Sequence, residues 1–281
     1  VKSAYQKDDA FLAEVRVAEA SPDVLQVWWL GQSGFLLAWN GIHVLLDPYL
    51  SDSLTEKYKS TDKPHERITE RVVDPARLNF IDVATSTHNH TDHLDAATLL
   101  PLMDVNPGMR LIIPEANRDF VSKRLDCDPA WPIGLDAGQQ VDAAGVTISA
   151  VPAAHETLDR DEQGRHVYLG YVLQIGPISL YHSGDTVLYD GMVDWLRPFN
   201  LDLAVLPING SRPERRVSGN LDGAEAAQLG KDIGAKLVVP CHYDMFAFNT
   251  ESPELFEETC RELGQPFRVL RNGEGLSIIP R

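Results

Sequence analysis

Apolar residues fall along this chain in short runs separated by turn residues. Val27-Trp28-Trp29-Leu30, Phe35-Leu36-Leu37-Ala38-Trp39 and Ile42-His43-Val44-Leu45-Leu46 are divided by Gly31-Gln32-Ser33-Gly34 and by Asn40-Gly41. β-forming runs bounded by such turns predict hairpins, and Asp47-Pro48 ends the third run. Ahead of them, Phe11, Leu12, Val15 and Val17 give a modest helical pattern over 5–20. Beyond a polar stretch at 51–75, strand-like and helix-like runs alternate. The pattern predicts strands at 81–85, 111–113, 146–151, 168–175, 178–181, 203–208, 236–240, 267–270 and 276–279, and helices at 92–104, 115–125, 221–233 and 253–263. Hairpins and mixed β/α units thus recur in two halves with no Gly/Ser linker between them. The expectation is one domain over 1–281, with 1–22 a helical lead-in.

The chemistry concentrates after the strand at 81–85, in His88-Asn89-His90-Thr91-Asp92-His93. Imidazole and carboxylate are ligands that Zn²⁺, Mn²⁺ and Fe²⁺ accept. Side chains at i and i+2 of an extended segment share a side, so His88 and His90 can grip one ion together. Asp92 and His93 stand where the chain turns toward a helix and can point at a second ion. A chance polar loop is the bland alternative, but four ligand-type residues packed at one strand end weigh against it. Three further apolar runs each end in one potential ligand: His155 after 149–154, Asp185 after 180–184, and His242 after 237–241. Ligands on strand ends suit a rigid site.

The H-x-H-x-D-H run followed by separate His, Asp and His resembles the metallo-β-lactamase fold superfamily over nearly the whole chain, including Trp29-Leu30-Gly31-Gln32-Ser33-Gly34-Phe35 and Asp47-Pro48-Tyr49. Tyr181-His182-Ser183-Gly184-Asp185 and Val238-Val239-Pro240-Cys241-His242-Tyr243-Asp244 are similar to the L-ascorbate-6-phosphate lactonase group. The resemblance implies an α/β class, four-layer αββα sandwich with a site between the sheet edges. It implies two divalent metal ions, zinc or manganese: one held by His88, His90 and His155, the other by Asp92, His93 and His242, with Asp185 bridging. The implied activity is hydrolysis of a small ester, lactone or phosphorylated substrate by water that the cations activate as hydroxide at neutral pH. Asp92 is the candidate catalytic residue, orienting that nucleophile or passing a proton to the leaving group.

His182, Tyr243 and Arg212 are candidate substrate contacts. His182 could equally be a packed strand histidine. Arg212, Arg215 and Arg216 form the densest basic cluster and could clamp a phosphate or carboxylate, or simply line a solvated loop. Cys241 and the Trp28-Trp29 pair read as buried structure, and His43, His65 and His166 lack ligand spacing.

Composition narrows the partners. With 25 Lys+Arg against 41 Asp+Glu, the net charge is -16, which disfavours nucleic acid and anionic membrane surfaces. A local basic cluster still leaves an anionic small-molecule substrate open, and a homo-oligomer is compatible with the sequence. Three widely spaced cysteines offer no disulfide framework. No 20-residue apolar stretch or N-terminal apolar signal core occurs, so a cytoplasmic protein is expected. The rival readings are a phosphodiesterase or phospholipase D-like hydrolase on the same fold, an iron redox enzyme, and a non-catalytic metal-binding protein.

Overall fold

The structure, a computed structural model, describes residues 1–18, 21 and 23–280. The expected lead-in becomes α1 (Asp8–Ala18); Glu19, Ala20 and Pro22 of that segment lie outside the described residues. Next come β1 (Leu25–Gly31), β2 (Gly34–Trp39) and β3 (Ile42–Leu46). Asn40 and Gly41 join β2 to β3 with φ of 48° and 81°. Both central residues of a tight hairpin turn must adopt positive φ, which Asn-Gly does at least cost. The chain continues through α2 (Ser53–Tyr58), β4 (Val83–Thr85), α3 (Ala96–Val105), β5 (Arg110–Pro114), α4 (Arg118–Leu125) and β6 (Ile133–Leu135).

The second half holds β7 (Gln140–Ala143), β8 (Val146–Pro152), β9 (Leu169–Ile175), β10 (Ile178–His182), α5 (Met192–Leu196), β11 (Leu203–Pro207), α6 (Gly223–Asp232), β12 (Val238–Cys241), α7 (Glu254–Leu263) and β13 (Gly275–Ile278). Two mixed sheets result, ordered β13-β1-β2-β3-β4-β5-β6 and β12-β11-β10-β9-β8-β7. In each, an antiparallel meander gives way to parallel strands.

Period-2 alternation sorts the side chains between layers. Val27, Trp29, Phe35 and Leu37 pack in the larger core with residues of the second sheet such as Ile148 and Leu173. Trp28, Leu30, Leu36 and Leu45 pack the other way, against Phe11, Leu99, Leu102 and Val121 of α1, α3 and α4. Ala226, Leu229 and Phe256 of α6 and α7 cover the second sheet. The architecture is therefore the αββα sandwich, with strands buried on both faces reading as near-continuous apolar runs.

Several local expectations need correction. The helix expected from 92 starts at Ala96, because residues 90–94 form a turn in which His90 O accepts from the amides of His93 and Leu94 at 3.1 and 2.8 Å. Asp95 then caps α3 through the Ala97 amide. Residues 267–270 form no strand; Phe267 makes a single bridge to Val238, since the next ladder bond would have to come from Pro240, which has no N–H. The strands β6 and β7 and the helices α2 and α5 are three to six residues long, too short to show a period. Among the described residues no helix is long and apolar enough to cross a membrane.

Candidate metal centre

Strand direction gathers the site. β8 and β10 flank β9 antiparallel, and β10, β11 and β12 run parallel. The ends of β8, β10 and β12 therefore lie on one rim and deliver His155, Asp185 and His242. The loop after β4 brings His88, His90, Asp92 and His93 to the same place. Gly184 makes that approach possible: its φ is +60°, and a Cβ there would stand 2.5 Å from Thr87 Oγ1.

All seven expected ligands converge. Ligand atoms of His88, His90 and His155 lie within 4.8 Å of one another, as do those of His88, His93 and Asp185 and those of Asp92, His93 and His242. Asp185 stands between the groups, 3.2 Å from His93 Nε2, 3.2 Å from His242 Nε2 and 3.6 Å from His155 Nε2. Although Asp185 Oδ1 is that close to His93 Nε2, it lies off the direction a hydrogen bond needs. Among the described residues, His88 Nε2, His93 Nε2 and Asp185 Oδ1 are thus buried without a hydrogen-bond partner. Orphaned buried polar atoms cost on the order of 1–3 kcal/mol each. Their clustering, with a nitrogen-and-oxygen donor set, fits divalent transition-metal cations.

The residues behind the ligands fix their orientation, as metal-binding imidazoles generally require. Asp47 is fully buried and accepts from His93 Nδ1 at 2.7 Å. His155 Nδ1 meets Gly219 O at 3.0 Å, and His88 Nδ1 meets Thr87 Oγ1 at 3.1 Å. Gln32 Nε2 donates to Asp92 Oδ2 at 2.8 Å and also faces His242. Tyr168 packs its ring near those of His88, His90 and His155. The sequence pattern gave these residues no role beyond ending a strand, forming a turn or opening a strand. The available signal was Asp47 itself, a carboxylate directly after an apolar run.

Electrostatics divide the cluster. Burial holds His88 well below the usual imidazole range, and burial likewise lowers His90 and His155, so these three stay neutral and present lone pairs. At His93 burial also opposes charge, but Asp185 and Asp92 outweigh it and raise the pKa well above the ordinary value. At His242 the same contest, against Asp185 and Asp92, ends with a pKa pushed up to about 9. Burial would raise Asp92 and Asp185, yet the facing imidazoles His93 and His242 hold both carboxyls down.

Above the cluster opens a cleft of about 460 Å³, lined by Gln32, His90, Asp92, His155, Asp185 and His242 among others. None of the three expected substrate contacts reaches it. His182 is fully buried, with Nε2 on Ser33 O at 2.9 Å, because it is the last residue of β10 and points into the sandwich. Tyr243 stacks on Trp29 at 4.6 Å and donates to Leu270 O at 2.7 Å; the backbone turns at His242, φ 61°, and sends the next side chain into the core. Arg212 is paired with Glu251 at 2.6 Å outside the cleft lining. In the same basic cluster Arg215 is tied to Asn209 O and Glu251, and Arg216, which does line the cleft, pairs with Asp62. His166 is buried against Asp136, and Cys241 is buried as expected.

Residues 43–243 match the family described as Beta-lactamase superfamily domain. The chain is similar to a UPF0173 metal-dependent hydrolase of Rubrobacter xylanophilus, 29% identical over 89% of this chain and 96% of that one. Its fold is similar to that of Igni18, a metallo hydrolase from Ignicoccus hospitalis, at a TM-score of 0.66 and 24% identity, covering 91% of this chain and 98% of the other. It is also similar to that of an isothiocyanate hydrolase from Delia radicum gut bacteria, at a TM-score of 0.71 and 19% identity over 91% and 100%.

Proposed function

The chain belongs to the beta-lactamase superfamily domain family, and from that premise we propose that it is a metal-dependent hydrolase of a small ester, lactone or phosphorylated substrate, similar in type to the L-ascorbate-6-phosphate lactonases. The observation that carries the reading is the trio of overlapping ligand groups, with His88 Nε2, His93 Nε2 and Asp185 Oδ1 buried and unpartnered among the described residues. His88, His90 and His155 would hold one zinc or manganese ion, and Asp92, His93 and His242 the other, with Asp185 shared. Bound cations of this kind lower the pKa of water toward ~7 and polarise the oxygen under attack.

The chain's own residues supply the rest. Asp47, Thr87 and Gly219 O hold three imidazoles by their Nδ1 atoms, which leaves each Nε2 directed inward. Gln32 fixes Asp92 Oδ2, and Asp92 faces the cleft, where its other oxygen can orient the attacking water or hold a proton bound for the leaving group. The cleft volume of about 460 Å³ suits a small molecule. All three cysteines are free, in keeping with a reducing compartment such as the cytoplasm.

The test is turnover of lactones, carboxylic esters, phosphomonoesters and phosphodiesters by protein loaded with zinc or with manganese. The reading expects hydrolysis in the lactone, ester or phosphomonoester arm, abolished by chelation and restored by metal. Turnover confined to phosphodiesters would transfer the site to a phosphodiesterase, and no hydrolysis under either metal would overturn it.

A further inference from the structure

Arg124 differs from the other arginines around the site. It lies in the last turn of α4, and its Nη1 donates to Asn89 O at 3.0 Å and Leu94 O at 3.1 Å. The guanidinium is thereby pinned to the loop that carries His88, His90, Asp92 and His93. Its Cζ sits 4.5 Å from the centre of the Phe120 ring, a second restraint through cation–π attraction.

What it lacks is an ion pair: Asp95 attracts it electrostatically, but no carboxylate among the described residues reaches contact distance. Arg67, Arg118, Arg165, Arg212, Arg215 and Arg216 each pair with a carboxylate, but no ion pair joins Arg124 among the described residues. A guanidinium carries five N–H donors. Here the two on Nη1 are engaged and those on Nε and Nη2 have no protein acceptor among the described residues. Burial penalises the charge enough to lower the pKa from the usual guanidinium value against the opposing attraction of Asp95. Arg124 also lines the cleft together with His90 and Asp92. A half-buried cation held in place and left unpaired, in a chain of net charge -16, is built to receive an anion from outside.

The cleft has a planar wall as well. Tyr58 and His65 stack at 4.2 Å, and Phe248 meets His65 edge-on at 4.5 Å. All three line the same cleft as Arg124.

We propose that Arg124 is the specificity-determining residue of this cleft. Its free guanidinium edge takes an oxyanion group of the substrate, and the wall of Tyr58, His65 and Phe248 takes a planar apolar part, so the substrate class is a planar organic anion. The inference rests on the reading of the cleft as a hydrolase's substrate site, but its test is one of binding. Benzoate and its neutral isostere benzamide are titrated calorimetrically into metal-loaded protein. Wild type is expected to prefer benzoate, and Arg124→Gln to lose that preference by roughly tenfold or more, with benzamide affinity and metal content unchanged.

Arg124 also braces the ligand loop, so Arg124→Lys serves as a second variant. It keeps the charge but not the fork, and the preference should fall a few-fold at unchanged metal content. Phe248→Ala should weaken benzoate and benzamide alike. The proposal is overturned if wild type does not prefer benzoate, if the preference survives in both arginine variants, or if Phe248→Ala changes neither affinity. Normal anion binding with no hydrolysis of any ester would count against the hydrolase reading alone.

Discussion

Asp47→Asn perturbs the site from behind while leaving every proposed ligand in place. Asp47 accepts from Thr85 Oγ1 at 2.9 Å, from the Thr87 amide at 3.1 and 3.2 Å, from the Thr87 hydroxyl, and from His93 Nδ1 at 2.7 Å. An amide in its place has two orientations. In one, its NH₂ abuts the Nδ1–H of His93. In the other, the Thr85 hydroxyl must turn round and His93 keeps a neutral acceptor only. Either way a charge-assisted bond, worth ~1.5–3 kcal/mol against ~1 kcal/mol for a neutral one, is lost. His93 is then freer to place its proton on Nε2, the atom directed at the metal. Removing such an orienting carboxylate typically costs about 10–100-fold in metal affinity, or roughly 1.4–2.7 kcal/mol. Competition against a chromophoric chelator measures the affinity. A folded Asp47→Asn protein with wild-type metal affinity would refute the reasoning.

Gly184→Ala forces a Cβ to within 2.5 Å of Thr87 Oγ1 at φ +60°; thermal denaturation should show a loss of about 2 kcal/mol or more, with weakened metal binding, and a wild-type midpoint would contradict the packing described. Tyr243→Phe removes the bond to Leu270 O and should cost about 1 kcal/mol while leaving kcat/KM unchanged; a tenfold fall in kcat/KM at intact metal content would restore Tyr243 as a substrate contact. His242, with its pKa at about 9, and His93, also held well above the usual value by Asp185 and Asp92, both hold protons in metal-free protein at neutral pH. Metal must displace those protons, so its affinity should strengthen as pH rises toward about 9 and weaken as pH falls. Calorimetry in buffers of different ionisation enthalpy should detect the release; none at neutral pH would contradict the charge pattern.

The sandwich was legible because its strands are buried on both faces and read as apolar runs, and because Asn40-Gly41 can hardly be anything but a hairpin turn. The ligand cluster was legible for a related reason: His155, Asp185 and His242 each interrupt the end of an apolar run with a donor. What surrounds the ligands was not. His182 and Tyr243 adjoin ligand segments, and only the direction of β10 and the positive φ of His242 reveal that both side chains face inward. Arg212 drew notice by crowding with Arg215 and Arg216, yet crowding on the chain says nothing of carboxylates folded beside them. Arg124 stands in an ordinary helical turn, and its missing partner is visible only in three dimensions. Asp47 reads as a strand terminator until Thr87 and His93 are seen to converge on it. The short strands β6 and β7 carry too few apolar residues to show a period.

The central claim is that one seven-residue cluster binds divalent metal and that hydrolysis depends on it. Elemental analysis of wild type, His88→Ala and Asp185→Ala, paired with turnover of the best ester or lactone, tests it most directly. The account predicts two zinc or manganese ions in wild type, loss of metal from both variants at unchanged circular dichroism, and activity that tracks metal content. Full turnover by protein verified to be metal-free would contradict it.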